Sequence, residues 1–236
     1  MSDRPLVVVT GASRGVGREA VRALVERHRI DVLAVARDAE ALQGLQQQCA
    51  NGPAHVEILA LDLAGDRAVP RVVRQVGGRR LLGLLNNAGL LRKRNFGEWT
   101  LQDLHDLFLV NAHQPFLLAQ ALVDRLAGTP PGHVVNIGSM GGVQGSAKFP
   151  GLAGYSASKM ALAGLTECMA EELRERGVRC NCLALGAVDT AMLREAFPGY
   201  QAPVTAEAMG AEVARFLLEG HKYFNGKVLP MALSTP

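Results

Sequence analysis

Short apolar runs recur along the chain at residues 6–9, 31–36, 55–61, 81–85, 133–137, 178–185 and 227–231. Runs such as Leu6-Val7-Val8-Val9 carry no polar alternation, the pattern of strands buried on both faces. Stretches with apolar residues at helical spacing lie between them: from a glycine turn to about residue 27, then 38–49, 65–76, 101–126, 155–176 and 207–219. Strand and helix in strict alternation require right-handed crossovers. The predicted fold is therefore α/β, a doubly wound (Rossmann) parallel sheet of about seven strands with helices on both faces. Pro115 breaks the 101–126 pattern, because proline lacks an N–H and either kinks a helix or divides it. Residues 143–153 read as an irregular connection, and 187–203 as a mobile lid or substrate loop. With no repeat and no linker-like composition, residues 1–236 read as one domain.

Composition narrows the function classes. The net charge is +3, but the arginines are scattered and aromatics make up 5% of the chain, which argues against a nucleic-acid surface. No apolar run approaches the ~20 residues of a membrane helix, so no membrane partner is expected. Four cysteines without a signal peptide point to reduced thiols and a cytoplasmic location. Cys180 and Cys182 alternate within an apolar run as buried strand residues do, and the six histidines show no ligand spacing. No metal is assigned.

Candidate chemistry gathers where predicted strands end. Thr10-Gly11-Ala12-Ser13-Arg14-Gly15-Val16-Gly17 joins a strand to a helix. Glycines there admit a pyrophosphate close to the backbone, and the helix start favours an anion. Arg37 ends the second run, where a dinucleotide fold places the adenosine ribose. An arginine, assisted by Arg14, suits a 2′-phosphate and so favours NADP; two solvated arginines are the alternative. Asp62, followed by Leu63, is placed to accept from an adenine amino group or to cap a helix. Asn86-Asn87-Ala88-Gly89 suits hydrogen bonding to backbone or ligand. Arg92-Lys93-Arg94 reads as a solvated loop, with steering of an anionic substrate as the alternative. Ser139 ends the fifth run. Tyr155 and Lys159, four residues apart, share one face of a helix, where the cation is expected to lower the phenol toward a useful working pH. The same spacing also occurs on solvated helix faces.

Taken in order, these motifs resemble the short-chain dehydrogenase/reductase family over nearly the whole chain. Thr10 to Gly17 is similar to its T-G-x-x-x-G-x-G motif, Asn86 to Gly89 to its N-N-A-G, and Tyr155 to Lys159 to its Y-x-x-x-K. The resemblance implies a ketoreductase-like enzyme passing a hydride between NADP, with NADPH preferred over NADH, and a carbonyl or secondary alcohol. Tyr155 is then the general acid, Lys159 the group that holds the nicotinamide ribose and stabilises the tyrosinate, Ser139 the substrate-oxygen ligand, and Asn111 the anchor of a proton-relay water. It implies cofactor contacts from Gly11, Ser13, Arg14, Gly15, Val16, Gly17, Arg37, Asp62, Leu63, Asn87, Ala88, Gly89, Tyr155, Lys159, Gly186, Val188 and Thr190, and a homodimer or homotetramer packed through the helices near 115–126 and 155–176. Three departures stand out: Leu185 in place of the usual proline before Gly186, extra residues near Ser146 to Pro150 that reshape the pocket rim, and a short lid and tail without the usual glycine pair. A catalytically silent NADP sensor on the same fold is the competing reading.

Overall fold

The structure is a computed structural model and describes residues 4–233. Its centre is a seven-stranded sheet built from β1 (Leu6–Thr10), β2 (Asp31–Ala36), β3 (Val56–Ala60), β4 (Leu81–Asn86), β5 (Gly132–Ser139), β6 (Val178–Leu185) and, last in the chain, β9 (Lys227–Met231). The order is β3-β2-β1-β4-β5-β6-β9, and every pairing is parallel. Each predicted apolar run is one of these strands, shifted at its ends by no more than two residues. The order reverses between β1 and β4, so the carboxyl ends of these two strands flank the crevice in which such sheets hold ligands.

Alternation within each strand divides the core into two layers. Val7, Val9, Val32 and Ala34 pack with α1 (Gly15–Glu26), α2 (Ala39–Gln48) and α8 (Ala206–Glu219). Leu6, Val8, Leu33 and Val35 point to the other side and pack with α3 (Ala68–Val76), α5 (Gln114–Leu126) and α6 (Ala153–Glu172). Helices therefore cover both faces, as the unalternated strands require. Cys180 and Cys182 are buried, and no metal-binding cluster of His, Cys, Asp or Glu occurs among the described residues. No described helix is long and apolar enough to cross a membrane.

The 101–126 segment resolves into α4 (Leu101–Phe108), a π-helical turn (Leu109–His113) and α5. Pro115 sits in the first turn of α5. Its missing N–H deprives the carbonyl four residues back, that of Asn111, of an α-helical donor. The lid is more regular than its sequence suggests. It contains α7 (Ala191–Ala196), and a two-stranded sheet, β7 (Val188–Asp189) with β8 (Val204–Thr205), ties its two ends together. Thr190 and Thr205 cap the helices that follow them, accepting from Leu193 N and Ala208 N at 3.2 Å each.

Candidate active site

A cleft of about 1020 Å³ opens at the carboxyl ends of the strands. Gly11, Ser13, Arg14, Gly15 and Val16 line it, as do Arg37, Asp62, Leu63, Asn87, Ala88, Gly89, Ser139, Tyr155, Lys159, Gly186, Val188 and Thr190. Gly17 and Asn111 lie behind its wall.

The glycine turn is held from across the sheet. Asn87 Nδ2 donates to Thr10 O at 3.1 Å and to Gly11 O at 3.0 Å, while Thr10 Oγ1 accepts from Asn87 N and Ala88 N at 3.1 Å. Space is so tight that a Cβ on Gly11 would lie 2.8 Å from Ala88 Cα, and one on Gly17 would land on Asn87 Nδ2 and Gly11 O. Gly11 also needs its left-handed φ of 66°. Arg14 precedes α1 in extended conformation, no side chain caps the helix, and its first turn carries no acidic residue. That leaves a positive helix end facing the cleft, which suits a pyrophosphate. Arg14 and Arg37 are both exposed at this end. Asp62 serves partly as a turn residue, accepting from Ala64 N at 3.0 Å, and it also lines the cleft. The residues present therefore fit a phosphorylated dinucleotide.

Ser139, the last residue of β5, accepts from Gly141 N at 3.2 Å, which begins the 3-10 turn Met140–Gly142. A Cβ on Gly142 would stand 2.8 Å from Lys159 Cβ, so this turn packs directly against α6. The packing brings Ser139 and Tyr155 together in the cleft wall, close enough for Ser139 to favour the ionised phenol. Lys159 is buried, and its Nζ donates to Ile137 O at 2.8 Å. That nitrogen is 6.0 Å from the centre of the Tyr155 ring.

Electrostatics here differ from the expectation that Lys159 lowers the phenol. Burial pushes Tyr155 above its ordinary value, and only Ser139 works the other way. Burial also brings Lys159 down, to about 8. Tyr155 is half-buried in the cleft wall and Lys159 buried, with the ammonium turned to a main-chain carbonyl, so desolvation governs the pair.

Asn111 is fully buried, with its amide committed at both ends. Oδ1 accepts from Leu90 N at 2.8 Å, and Nδ2 donates to Leu90 O at 2.8 Å and to Ser158 Oγ at 2.9 Å. Ser158 Oγ in turn donates to Tyr155 O at 2.7 Å. The side chain thus splints the strand-end loop to α6. The reading of the basic cluster as a solvated loop is corrected. Arg92 pairs with Asp103 at 2.9 Å and with Asp106, and Arg94 pairs with Asp103 at 3.2 Å. Thr100 and Arg94 hold the Asp103 carboxyl below its ordinary value against the opposing cost of burial. Leu185, standing where a proline is usual, stays in the sheet aligned with both Ser139 and Met231, and Gly186 N donates to Met231 O at 3.0 Å. Sheet pairing fixes this turn in place of a proline ring. Sequence reasoning missed Thr10 as a brace, and it missed Ser158, Phe149 and Phe197; the two rings sit in segments with no helical or strand period to mark them.

A family model described as short chain dehydrogenase matches residues 5–201. Carbonyl reductase (NADPH) 2 of Sus scrofa is 34% identical over 219 residues, covering 91% of this chain and 80% of that protein. A 3-oxoacyl-(acyl-carrier-protein) reductase of Pseudomonas aeruginosa is 28% identical over 240 residues, covering 96% and 95%. Among solved structures, a putative NAD(P) dependent gluconate 5-dehydrogenase from Beutenbergia cavernae with bound NADP superposes with a TM-score of 0.81 at 30% identity, covering 96% of this chain and 94% of that one.

Proposed function

The chain belongs to the short-chain dehydrogenase family, and from that premise we propose that it is an NADP-dependent oxidoreductase acting on a carbonyl or secondary alcohol, most like the carbonyl reductases. The observation that carries the reading is the convergence of Tyr155 and Ser139 in the cleft wall, with Lys159 buried beside them. Gly11 to Gly17 would hold the pyrophosphate, Arg37 and Arg14 a ribose 2′-phosphate, and Lys159 the nicotinamide ribose. When bound, the dinucleotide supplies the hydride for reduction or takes it in oxidation.

The protein's own residues handle the proton. Tyr155 is neutral at neutral pH because its value is raised, so it can donate its phenolic proton to the carbonyl oxygen as that oxygen gains charge. The Ser139 hydroxyl donates to the same oxygen and places it. The tyrosinate left behind is stabilised by the Lys159 ammonium. A proton returns through a water held at the Asn111 carbonyl, the group that Pro115 deprives of a helical donor. The sensor alternative draws no support from this site, since a binding protein has no use for an aligned acid. The proposed dimer or tetramer packs through α5 and α6, which leave Leu117 and Met160 exposed.

Loss of NADPH absorbance over a panel of ketones and aldehydes tests the assignment. Turnover of at least one class is expected, and tight NADPH binding without any turnover would sink it.

A further inference from the structure

Past Tyr155 the cleft continues between the loop after β4, the loop after β5, and α7. Leu91, Val110, Phe149, Leu152, Met192 and Phe197 line this end. Phe149 and Phe197 come from different loops and meet edge to face with ring centroids 5.1 Å apart. Lys93 fastens the same corner. Its Nζ donates to Ala196 O at 3.0 Å and lies 5.6 Å from the centre of the Phe197 ring.

The charged side chains that line this end, Arg92, Asp106, Asp189 and Arg194, are already in ion pairs. Arg92 is taken by Asp103 and Asp106, Asp106 also accepts from Gln102 at 2.6 Å, and Arg194 pairs with Asp189. Lys148, on the neighbouring loop, donates to Val143 O at 2.7 Å and to Ser146 O at 3.0 Å. A carboxylate or phosphate on the substrate would have to break one of these ion pairs or lose its water among apolar side chains, since neither Lys93 nor Lys148 lines the cleft. A polyhydroxylated chain would lay its hydroxyls against aromatic and aliphatic walls, again without partners.

We propose that this end of the cleft selects uncharged, apolar ketones and aldehydes, with the alkyl or aryl substituent lying against the edge-to-face pair of Phe149 and Phe197. The inference rests on the reductase reading above and gives that reading a substrate class. An apolar pocket discriminates against an added hydroxyl by roughly 10²-fold, which sets the expected scale.

The test uses the full chain with NADPH and three probes: 2-octanone, 7-oxooctanoate and fructose. The expected kcat/KM for 2-octanone exceeds each of the others by about 10²-fold. Phe197→Ala should shrink that margin to about tenfold or less, chiefly by raising KM for 2-octanone, in line with the loss of apolar contact. Phe149→Leu serves the same purpose if the first variant does not fold. Comparable or better turnover of 7-oxooctanoate or fructose overturns the substrate class and leaves the reductase reading standing. So does a margin that stays the same in a folded variant. Bound NADPH with no turnover of any probe overturns both.

Discussion

Tyr155 is half-buried and Lys159 buried, and the loss of water moves them in opposite directions: the phenol up, the ammonium down to about 8. A phenol held neutral is an acid waiting for an acceptor, so at neutral pH the site is set for reduction. Tyr155→Phe should lower kcat about 10²-fold or more while NADPH affinity, by fluorescence titration, changes little. Lys159 carries its charge below about pH 8 and loses it above. If the charge stabilises the tyrosinate as proposed, kcat/KM for reduction should be level near neutrality and fall about tenfold per pH unit above that point, and Lys159→Met should lack this limb. A flat wild-type profile would show that the charge is not required. At the other end of the cleft, Arg37→Ala would remove the charge-assisted contact proposed for the 2′-phosphate. It should weaken NADPH by roughly 10- to 100-fold and NADH by no more than about twofold, read by isothermal titration. Equal weakening would refute the phosphate contact.

At the scale of elements, the strand-to-helix turn after β1 depends on Asn87, which reaches it from the far side of the switch point. Gly17→Ala would place a methyl on Asn87 Nδ2 and Gly11 O. Overpacking of this kind costs about 1–3 kcal/mol. Since the same clash displaces the turn proposed to take the pyrophosphate, the variant should melt several degrees lower and bind NADPH at least about tenfold more weakly. Unchanged affinity would mean that the turn does not hold the cofactor. The strands were legible in the sequence because burial on both faces leaves an unbroken apolar run. Ser139, Tyr155 and Lys159 were legible because strand-end position and i,i+4 spacing are local properties. The pairing of Arg92 and Arg94 was hidden because their partners, Asp103 and Asp106, belong to the next helix, and nothing in a basic tripeptide announces them. The bracing by the Asn111 side chain was hidden for a similar reason: its partners Leu90 and Ser158 arrive from two other elements. The regularity of the lid comes from Val188–Asp189 pairing with Val204–Thr205, strands too short to show a period.

For the molecule as a whole, one buried histidine joins β5, β6, α8 and the turn after it. His133 is fully buried, with Nδ1 2.9 Å from Leu217 O and Nε2 2.9 Å from Asn181 Nδ2. A carbonyl only accepts, so Nδ1 carries the hydrogen. Asn181 is pinned with its amide nitrogen toward the ring, because its oxygen accepts from Lys227 N and its nitrogen also donates to Phe224 O. The neutral ring satisfies both neighbours, whereas a protonated ring would aim a second N–H at a donor. Burial first, and then the nearby His221, bring His133 down to about 4 against the favourable bond to Leu217 O. The folded value lies below the unfolded value of 6.5. Below that pH the unfolded chain therefore binds more protons, and stability falls as pH drops from about 6.5 to about 4, then levels off for this group. A difference of that size corresponds to about 3 kcal/mol. Carboxylates titrate in part of the same window, so the comparison has to be made against a variant that cannot titrate at this position. Urea unfolding at pH 7 and pH 4 should show that His133→Gln, less stable than wild type at neutrality, loses about 3 kcal/mol less on acidification. If both proteins lose the same amount, His133 is not what links the sheet's stability to pH.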